Sequence, residues 1–410
     1  MKVGLYLKND TIADVDLSQP ERGNPGIGGT QYNFITLPYY FQKYIPDQVE
    51  FVWYANVIDR LPKSLSSCQV NSASEAISKA VEQNCDMFIW RPTYIAEGIE
   101  FLKLVDQLPI KTIAWAHNTP GKSLVTQLYK SVNIQRFVCV SQEQMDRLRW
   151  HKIINKTACI FNGFDPKPYI AKEKIQKQHN TVVYLGSIVP GKGFHYLARV
   201  WPQIIREKPD AKLVVIGSGK LYNRNQKLGK WGIAAENYEG QWRKYLSDAE
   251  GKQLSSVEFK GTLGSEKIAI LQNADVGVVN PSGVTENCPG SAIEFQAAGT
   301  PVVSGAYRGL LDTVIHQKTG LLGKGDRELT ENILYLLDNP DKAKELGDNG
   351  IKFISEKFSC QTISNQWLDL FKNVHGNRPN HVPGIQQFPY NDYKIFREGI
   401  RKIRGILQKQ

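Results

Sequence analysis

Two glutamates, Glu286 and Glu294, sit in a stretch whose residue types suit an anion and a sugar together. It runs Asn280-Pro-Ser-Gly-Val-Thr-Glu-Asn-Cys-Pro-Gly-Ser-Ala-Ile-Glu-Phe-Gln-Ala-Ala-Gly-Thr-Pro-Val-Val-Ser304. An apolar strand at Val276–Asn280 leads into a Gly/Pro/Ser loop, and the loop leads into a helix. Pro289 fits the first helical turn, where its missing N–H costs nothing. Gly299 fits the helix end, and Thr300-Pro301 opens the next strand. The amides of Gly290 and Ser291 then lie unpaired at the positive end of a helix, a place suited to a diphosphate. Glu286 lies in the loop before the helix and Glu294 in its first turn or just beyond. Carboxylates flanking an anion site make chemical sense as acceptors for sugar hydroxyls.

Other candidates carry less information singly. Gly28-Gly29 reads first as a turn. His117, at a strand end beside Trp115 and Asn118, divides evenly between a satisfied core histidine and a ligand-facing one. Lys192 lies between two glycines and could be a solvated turn lysine. The Glu286–Glu294 pair outweighs them because its strand–loop–helix context is present too. Asp14-Val15-Asp16 is formally a metal-binding DxD, but nothing around it completes such a site, and no His/Cys cluster suggests a metal.

These residues need two scaffolds. At 410 residues the chain exceeds one core and suits two α/β domains. In the first half, strands are expected at Val3–Leu7, Glu50–Tyr54, Met87–Trp90, Thr112–His117, Phe137–Ser141 and Thr157–Phe161. In the second they are expected at Thr181–Gly186, Lys212–Gly217, Val257–Gly261, Val276–Asn280 and Pro301–Ser304. Helix-length connections between them indicate parallel, doubly wound sheets facing a cleft. Phe164-Asp165-Pro166 and the polar run Lys172 to Asn180 read as a linker. Gly219 to Ser256 reads as an insertion too charged for a core. The domains are therefore 1–175 and 176–357, with a helix over Ser359–Val374 and a tail to residue 410.

The formal charge is +11, and residues 376–410, with seven Lys/Arg against two Asp/Glu, hold +5 of it. That distribution opposes a nucleic-acid partner and marks a local basic tail. Within it Tyr393, Phe396, Ile400, Ile403 and Leu407 recur at helical spacing between basic residues, although Gly399 and Gly405 weaken a helix there. The tail reads either as a helix packed on the body or as a peripheral contact with an anionic membrane. Apolar runs fall short of the ~20 residues that span a bilayer. Lys2 to Leu7 is too short for a secretory signal core and is followed at once by Lys8, Asn9 and Asp10. Six scattered cysteines without a CxxC pair point to reduced thiols and a cytoplasmic protein.

The segment around Glu286 and Glu294 resembles the E-x7-E signature of retaining glycosyltransferase family 4. The resemblance continues through Tyr184-Leu-Gly-Ser-Ile-Val-Pro-Gly-Lys-Gly193, Leu213-Val-Val-Ile-Gly-Ser-Gly219, Val257-Glu-Phe-Lys-Gly261 and Ala274-Asp-Val-Gly-Val-Val-Asn-Pro-Ser282. Gly28-Gly29, Ala114-Trp-Ala-His-Asn118, Val140-Ser141 and Asn162-Gly-Phe-Asp165 also fit, in order, over residues 1–375. It implies a GT-B fold of two Rossmann-like domains with a nucleotide diphosphate sugar, UDP-linked by expectation, in the cleft. It implies Glu294 on the ribose and Glu286 on the transferred hexose, with Asn287, Cys288, Pro289, Gly290 and Ser291 holding sugar and phosphate. Lys192 would neutralise the diphosphate without a metal or other cofactor. His117 would bond the sugar, and Gly28, Gly29, Asn118, Ser187, Gly217 and Gly261 would line the donor site. The acceptor would be a glycan or lipid-linked glycan. One departure stands out: the family places an arginine where this chain has Ser187, leaving Arg308 and Arg224 as candidates for the second cation. A same-fold epimerase or phosphorylase, or a non-catalytic nucleotide-sugar-binding subunit, is the alternative.

Overall fold

A computed structural model describes the chain except for residues 93–94, 172–179, 222, 386–395, 397–398, 401–402 and 404–410. Two wholly parallel sheets carry it. The first holds β1 (Lys2–Leu7), β2 (Glu50–Ala55), β3 (Ser66–Gln69), β4 (Met87–Trp90), β5 (Lys111–Ala116), β6 (Ile134–Cys139) and β7 (Thr157–Cys159), in the order β3-β2-β1-β4-β5-β6-β7. The second holds β8 (Thr181–Leu185), β9 (Lys212–Ile216), β10 (Val257–Gly261), β11 (Val276–Val279), β12 (Val302–Gly305) and β13 (Gly320–Gly323), in the order β10-β9-β8-β11-β12-β13. Both orders reverse direction between their first strand and the fourth strand beside it. At such switch points loops diverge and open a crevice at the carboxyl ends of the strands. This is the expected pair of Rossmann-like α/β layers of the GT-B architecture.

The strands are short continuous apolar runs because both faces of each sheet are covered. Val182 and Tyr184 face one core with Leu197, Trp201 and Trp242, whereas Val183 faces the other with Phe295 and Ile354. In the first sheet Trp53 and Trp115 join one core, and Tyr54 and Phe88 the other.

Four differences from the sequence reading have physical causes. β3 is a polar edge strand, Ser-Ser-Cys-Gln, without the apolar pattern that reveals buried strands. β13, Gly-Leu-Leu-Gly, is four residues long and flanked by breakers, so its apolar run was too short to register. The Gly219–Ser256 insertion does contribute to a core: Ala234, Tyr238, Trp242 and Leu246 are buried beneath its charged residues. Its Glu239, fully buried, accepts hydrogen bonds from the amides of Trp231, Ile233 and Ala234. Finally, the linker begins by packing rather than hanging free. Phe164 bridges Ser359, and Tyr169 is buried in the second domain's core; Lys172 to Gln178 lie among the residues not described.

Past the second sheet, the helix Cys360–His375 returns to the first domain. Its N-cap Ser359 accepts from the Thr362 amide, and its face of Ile363, Trp367, Phe371 and Val374 joins the core that holds Trp53 and Trp115. Of the tail's apolar positions, Tyr393 and Leu407 fall outside the described residues, as do Lys394, Arg397, Arg401, Lys402, Arg404 and Lys409; Phe396 and Ile403 are exposed. No helix among the described residues is long and apolar enough to cross a membrane.

Candidate active site

A cavity of about 560 Å³ lies where the two switch points face each other. The first sheet contributes the residues that leave β1, β4 and β5: Gly28 and Gly29, Arg91, then His117 and Asn118. The second contributes Ser187 after β8, Gly217 after β9 and Asn280 after β11, followed by Glu286 to Ser291 and Glu294. Fourteen of the fifteen expected site residues therefore converge on one space. Gly261 does not line it: its amide-bearing backbone turns with φ +68° at the end of β10, and its carbonyl accepts from the Gly217 amide at 2.8 Å. Its neighbours Thr262 and Leu263 form the wall instead.

The second-domain wall is built around two lysine–glutamate pairs. Lys192 ends a short turn, Pro190–Lys192, and its Nζ lies 2.6 Å from Glu286 Oε1. Asn280 Nδ2 donates to the same oxygen at 2.9 Å. Asn280 also donates to the Gly191 carbonyl, and the Thr285 hydroxyl does so at 2.8 Å, so the lysine turn and the glutamate loop are tied together. Asn280 holds φ +32°, an uncommon conformation that its own side-chain bonds to Ser282 and Gly283 stabilise. Deeper in, Lys267 Nζ lies 2.8 Å from Glu294 Oε1, and the Tyr169 hydroxyl donates to that oxygen at 3.1 Å. Neither Asn280 nor Lys267 was singled out from sequence; an Asn just past a buried strand carries little signal, and Lys267 sits in an ordinary helical stretch.

Between the pairs begins the helix Gly290–Ala297, capped by Pro289. Gly290 has open space where a side chain would point. The Cys288 thiol is pushed up to about 12 by burial and stays protonated at neutral pH. Gly217 is required sterically: at φ +143° a β-carbon would lie 1.8 Å from the Gly186 carbonyl oxygen. Ser187 is buried and donates to the Ser218 carbonyl at 3.2 Å, so it brings no charge to the cavity. Nor do the two arginines named as replacements. Arg224 forms an ion pair with Asp14 across the domains, and Arg308 is not part of the lining. The lining cations among the described residues are Arg91, Lys192 and Lys267. Asp14 and Asp16 do not converge on a metal: Asp14 meets Arg224 and Asp16 accepts from the Ser18 amide.

The first-domain wall is neutral apart from Arg91. Gly29 has no atom within 4 Å of where a β-carbon would stand, so a ligand can approach its backbone. His117 is buried against Trp115 and Phe34, with ring centroids 4.6 and 5.8 Å away. Neither ring nitrogen makes a hydrogen bond of normal geometry, and Asn162 Oδ1 beside it has none either. Burial, then the Arg91 charge, depress the imidazole to about 3, against a smaller opposing pull from Asn162. It is neutral at pH 7. The walls touch through Asn287, whose Nδ2 donates to the His117 carbonyl at 2.7 Å, and through the Glu143 amide, which donates to Asp312 at 2.8 Å.

Residues 166–353 match the family model described as glycosyl transferases group 1. This segment is similar to a glycosyltransferase domain. An uncharacterized glycosyltransferase of Haemophilus influenzae is 26% identical over 273 residues, covering 64% of this chain and 70% of that one. The capsular polysaccharide biosynthesis glycosyltransferase CapM of Staphylococcus aureus is 27% identical over 241 residues, covering 54% of this chain and 57% of its own. Among solved structures, Anabaena HepE in complex with UDP-glucose superposes with a TM-score of 0.63 at 16% identity, covering 91% of this chain and all of that one. That likeness concerns the fold. The cleft described above lies partly outside the matched segment, since its neutral wall precedes residue 166.

Proposed function

We propose that the protein is a retaining family 4 glycosyltransferase. It transfers a hexose, glucose or a close relative, from a UDP-sugar to a hydroxyl of a glycan or lipid-linked glycan in polysaccharide biosynthesis. The observation that carries this reading is the pair of lysine-held glutamates flanking a helix start in one interdomain cavity. The UDP-glucose complex of the HepE fold relative supports the donor, and the capsular relative supports the polymer.

In this reading the diphosphate lies at the amides of Gly290 and Ser291, the sugar at Glu286 and the ribose at Glu294. As the glycosidic bond breaks, negative charge grows on the leaving diphosphate. Lys192, an ammonium with three N–H donors, meets that charge together with the helix amides. No metal is assigned a part. The lining carboxylates among the described residues are Glu286 and Glu294, each already held by a lysine. Attack by the acceptor on the face the nucleotide leaves is therefore favoured over a covalent glycosyl-enzyme intermediate. Neutral His117 hydrogen-bonds sugar hydroxyls from the opposite wall. Six free thiols support the cytoplasm as the setting, and the basic tail supports contact with an anionic membrane surface where a lipid-linked acceptor would be met.

The test is a nucleotide-release assay over UDP-, GDP- and ADP-hexoses, with and without acceptor glycans. Acceptor-stimulated release of UDP and an α-linked product from an α-linked donor are expected. Tight donor binding without release across the panel would favour the binding subunit, and inverted product would overturn the retaining mechanism.

A further inference from the structure

We propose that Lys267 is a positioning residue that sets selectivity for an intact ribose in the donor nucleotide, acting through Glu294. This rests on the reading that Glu294 faces the ribose. The Lys267 ammonium and the Tyr169 hydroxyl both engage Glu294 Oε1, at 2.8 and 3.1 Å. The lysine and glutamate side chains keep 6% and 10% of their exposure, so the pair is buried at the cavity wall. With Oε1 committed twice, the carboxylate plane is fixed from two directions and Oε2 is the oxygen left to accept from a ligand. A ribose offers two adjacent hydroxyl donors, the group such an oxygen selects; a buried acceptor built for them discriminates strongly against an analogue lacking them.

The clamp is assembled from three separate stretches. Glu294 comes from the helix Gly290–Ala297, Lys267 opens the helix Lys267–Asn273, and Tyr169 follows the passage between the domains. A further bond joins the last two: Gln272 Nε2, on the helix of Lys267, donates to the Tyr169 carbonyl at 2.8 Å. Tyr169 stays protonated, pushed well above the ordinary tyrosine range by burial and then by the Glu294 charge, so its hydroxyl remains a donor. Lys267 therefore differs from Lys192, which pairs with Glu286 at the helix start. Its predicted signature is in binding and selectivity, with turnover spared.

The experiment measures Kd by calorimetry for UDP and for 2′,3′-dideoxy-UDP in the parent chain and in Lys267→Met, Lys267→Arg, Tyr169→Phe and Glu294→Gln. The parent is expected to prefer UDP at least tenfold. Lys267→Met should reduce that preference to within about threefold of unity while kcat at saturating donor changes less than about threefold, and Lys267→Arg should restore most of the preference. Tyr169→Phe, a milder change, should lower it by a factor of about two to five, which keeps the test open if Lys267→Met does not fold. Loss of affinity for both nucleotides by the same factor would show a merely structural lysine and overturn the inference. So would full preference in Lys267→Met or, should that variant not fold, in Tyr169→Phe, alongside its loss in Glu294→Gln. Full preference in Glu294→Gln, or none in the parent, would instead overturn the ribose assignment on which the inference stands.

Discussion

The two walls of the cleft solve opposite problems. On the second-domain wall every acidic group is answered: Glu286 by Lys192 and Asn280, Glu294 by Lys267 and Tyr169. On the first-domain wall both nitrogens of His117 and the side-chain oxygen of Asn162 make no hydrogen bond of normal geometry. A buried polar atom without a partner costs about 1–3 kcal/mol. A wall that tolerates several of them is arranged for groups a ligand brings. A wall of satisfied charges is preorganised, and its dipoles need not reorient when charge develops. The difference teaches which wall is prebuilt: the charged one is satisfied within the protein, and the neutral one leaves polar atoms for a ligand to meet.

The sharpest break of this contrast is Lys192→Ala. It removes charge stabilisation that counts mostly in the transition state, so kcat should fall by ~10²–10³ with donor affinity far less affected. Steady-state kinetics with UDP-hexose check it, and unchanged kcat would sink the assignment. Next comes Glu294→Ala, expected to weaken UDP binding by about 10- to 100-fold, from the ~1.5–3 kcal/mol typical of hydrogen bonds to a charged group. Its kcat at saturating donor should fall less than that of Lys192→Ala; the reverse ranking would collapse the distinction between the two pairs.

The neutral wall makes its own prediction through pH. With His117 at about 3 in the fold and ~6.5 when unfolded, the unfolded state takes up the proton first as acid is added. The stability held by the neutral ring is fully present above pH 6.5 and is lost progressively down to pH 3. Replacing the ring by His117→Gln should flatten the slope of unfolding free energy against pH in that window by up to ~1.4 kcal/mol per pH unit. Denaturant melts from pH 7 to pH 4 read it directly, and an unchanged slope would mean the ring is not held neutral. The smallest expected effect concerns metal. EDTA should leave the initial rate within about twofold, because Lys192 and the helix amides are the groups assigned to the diphosphate.

Much of this was legible in sequence because parallel strands buried on both faces are bare apolar runs. Val276–Val279 ending at Asn280, followed by a Pro/Gly-rich loop, could hardly be read otherwise. The same logic hides Ser66–Gln69, whose polar edge strand is recruited only by pairing with β2. Glu286, Glu294, Lys192 and His117 were visible as residue types at strand and helix junctions. Lys267 and Tyr169 were not, because each joins the site through a partner 27 and 125 positions away, and spacing within one element says nothing about that. Trp231 to Leu246 misled in another way. Its charges describe the solvent side, while Tyr238 and Trp242 turn inward from one seven-residue helix too brief to show a period.

The helix Cys360–His375 has a consequence for anyone exchanging parts between relatives. Although it follows the second domain in the chain, its Trp367 and Phe371 close the core of the first domain. A chimera cut once near residue 166 would hand the first domain a foreign closing helix and expose or mispack the aromatic cluster around Trp115. Two cuts are needed, one near Asp165 and one near Ser359, where Phe164 and Ser359 run side by side. The first domain is thus a discontinuous unit, completed by a helix that comes after the whole second sheet.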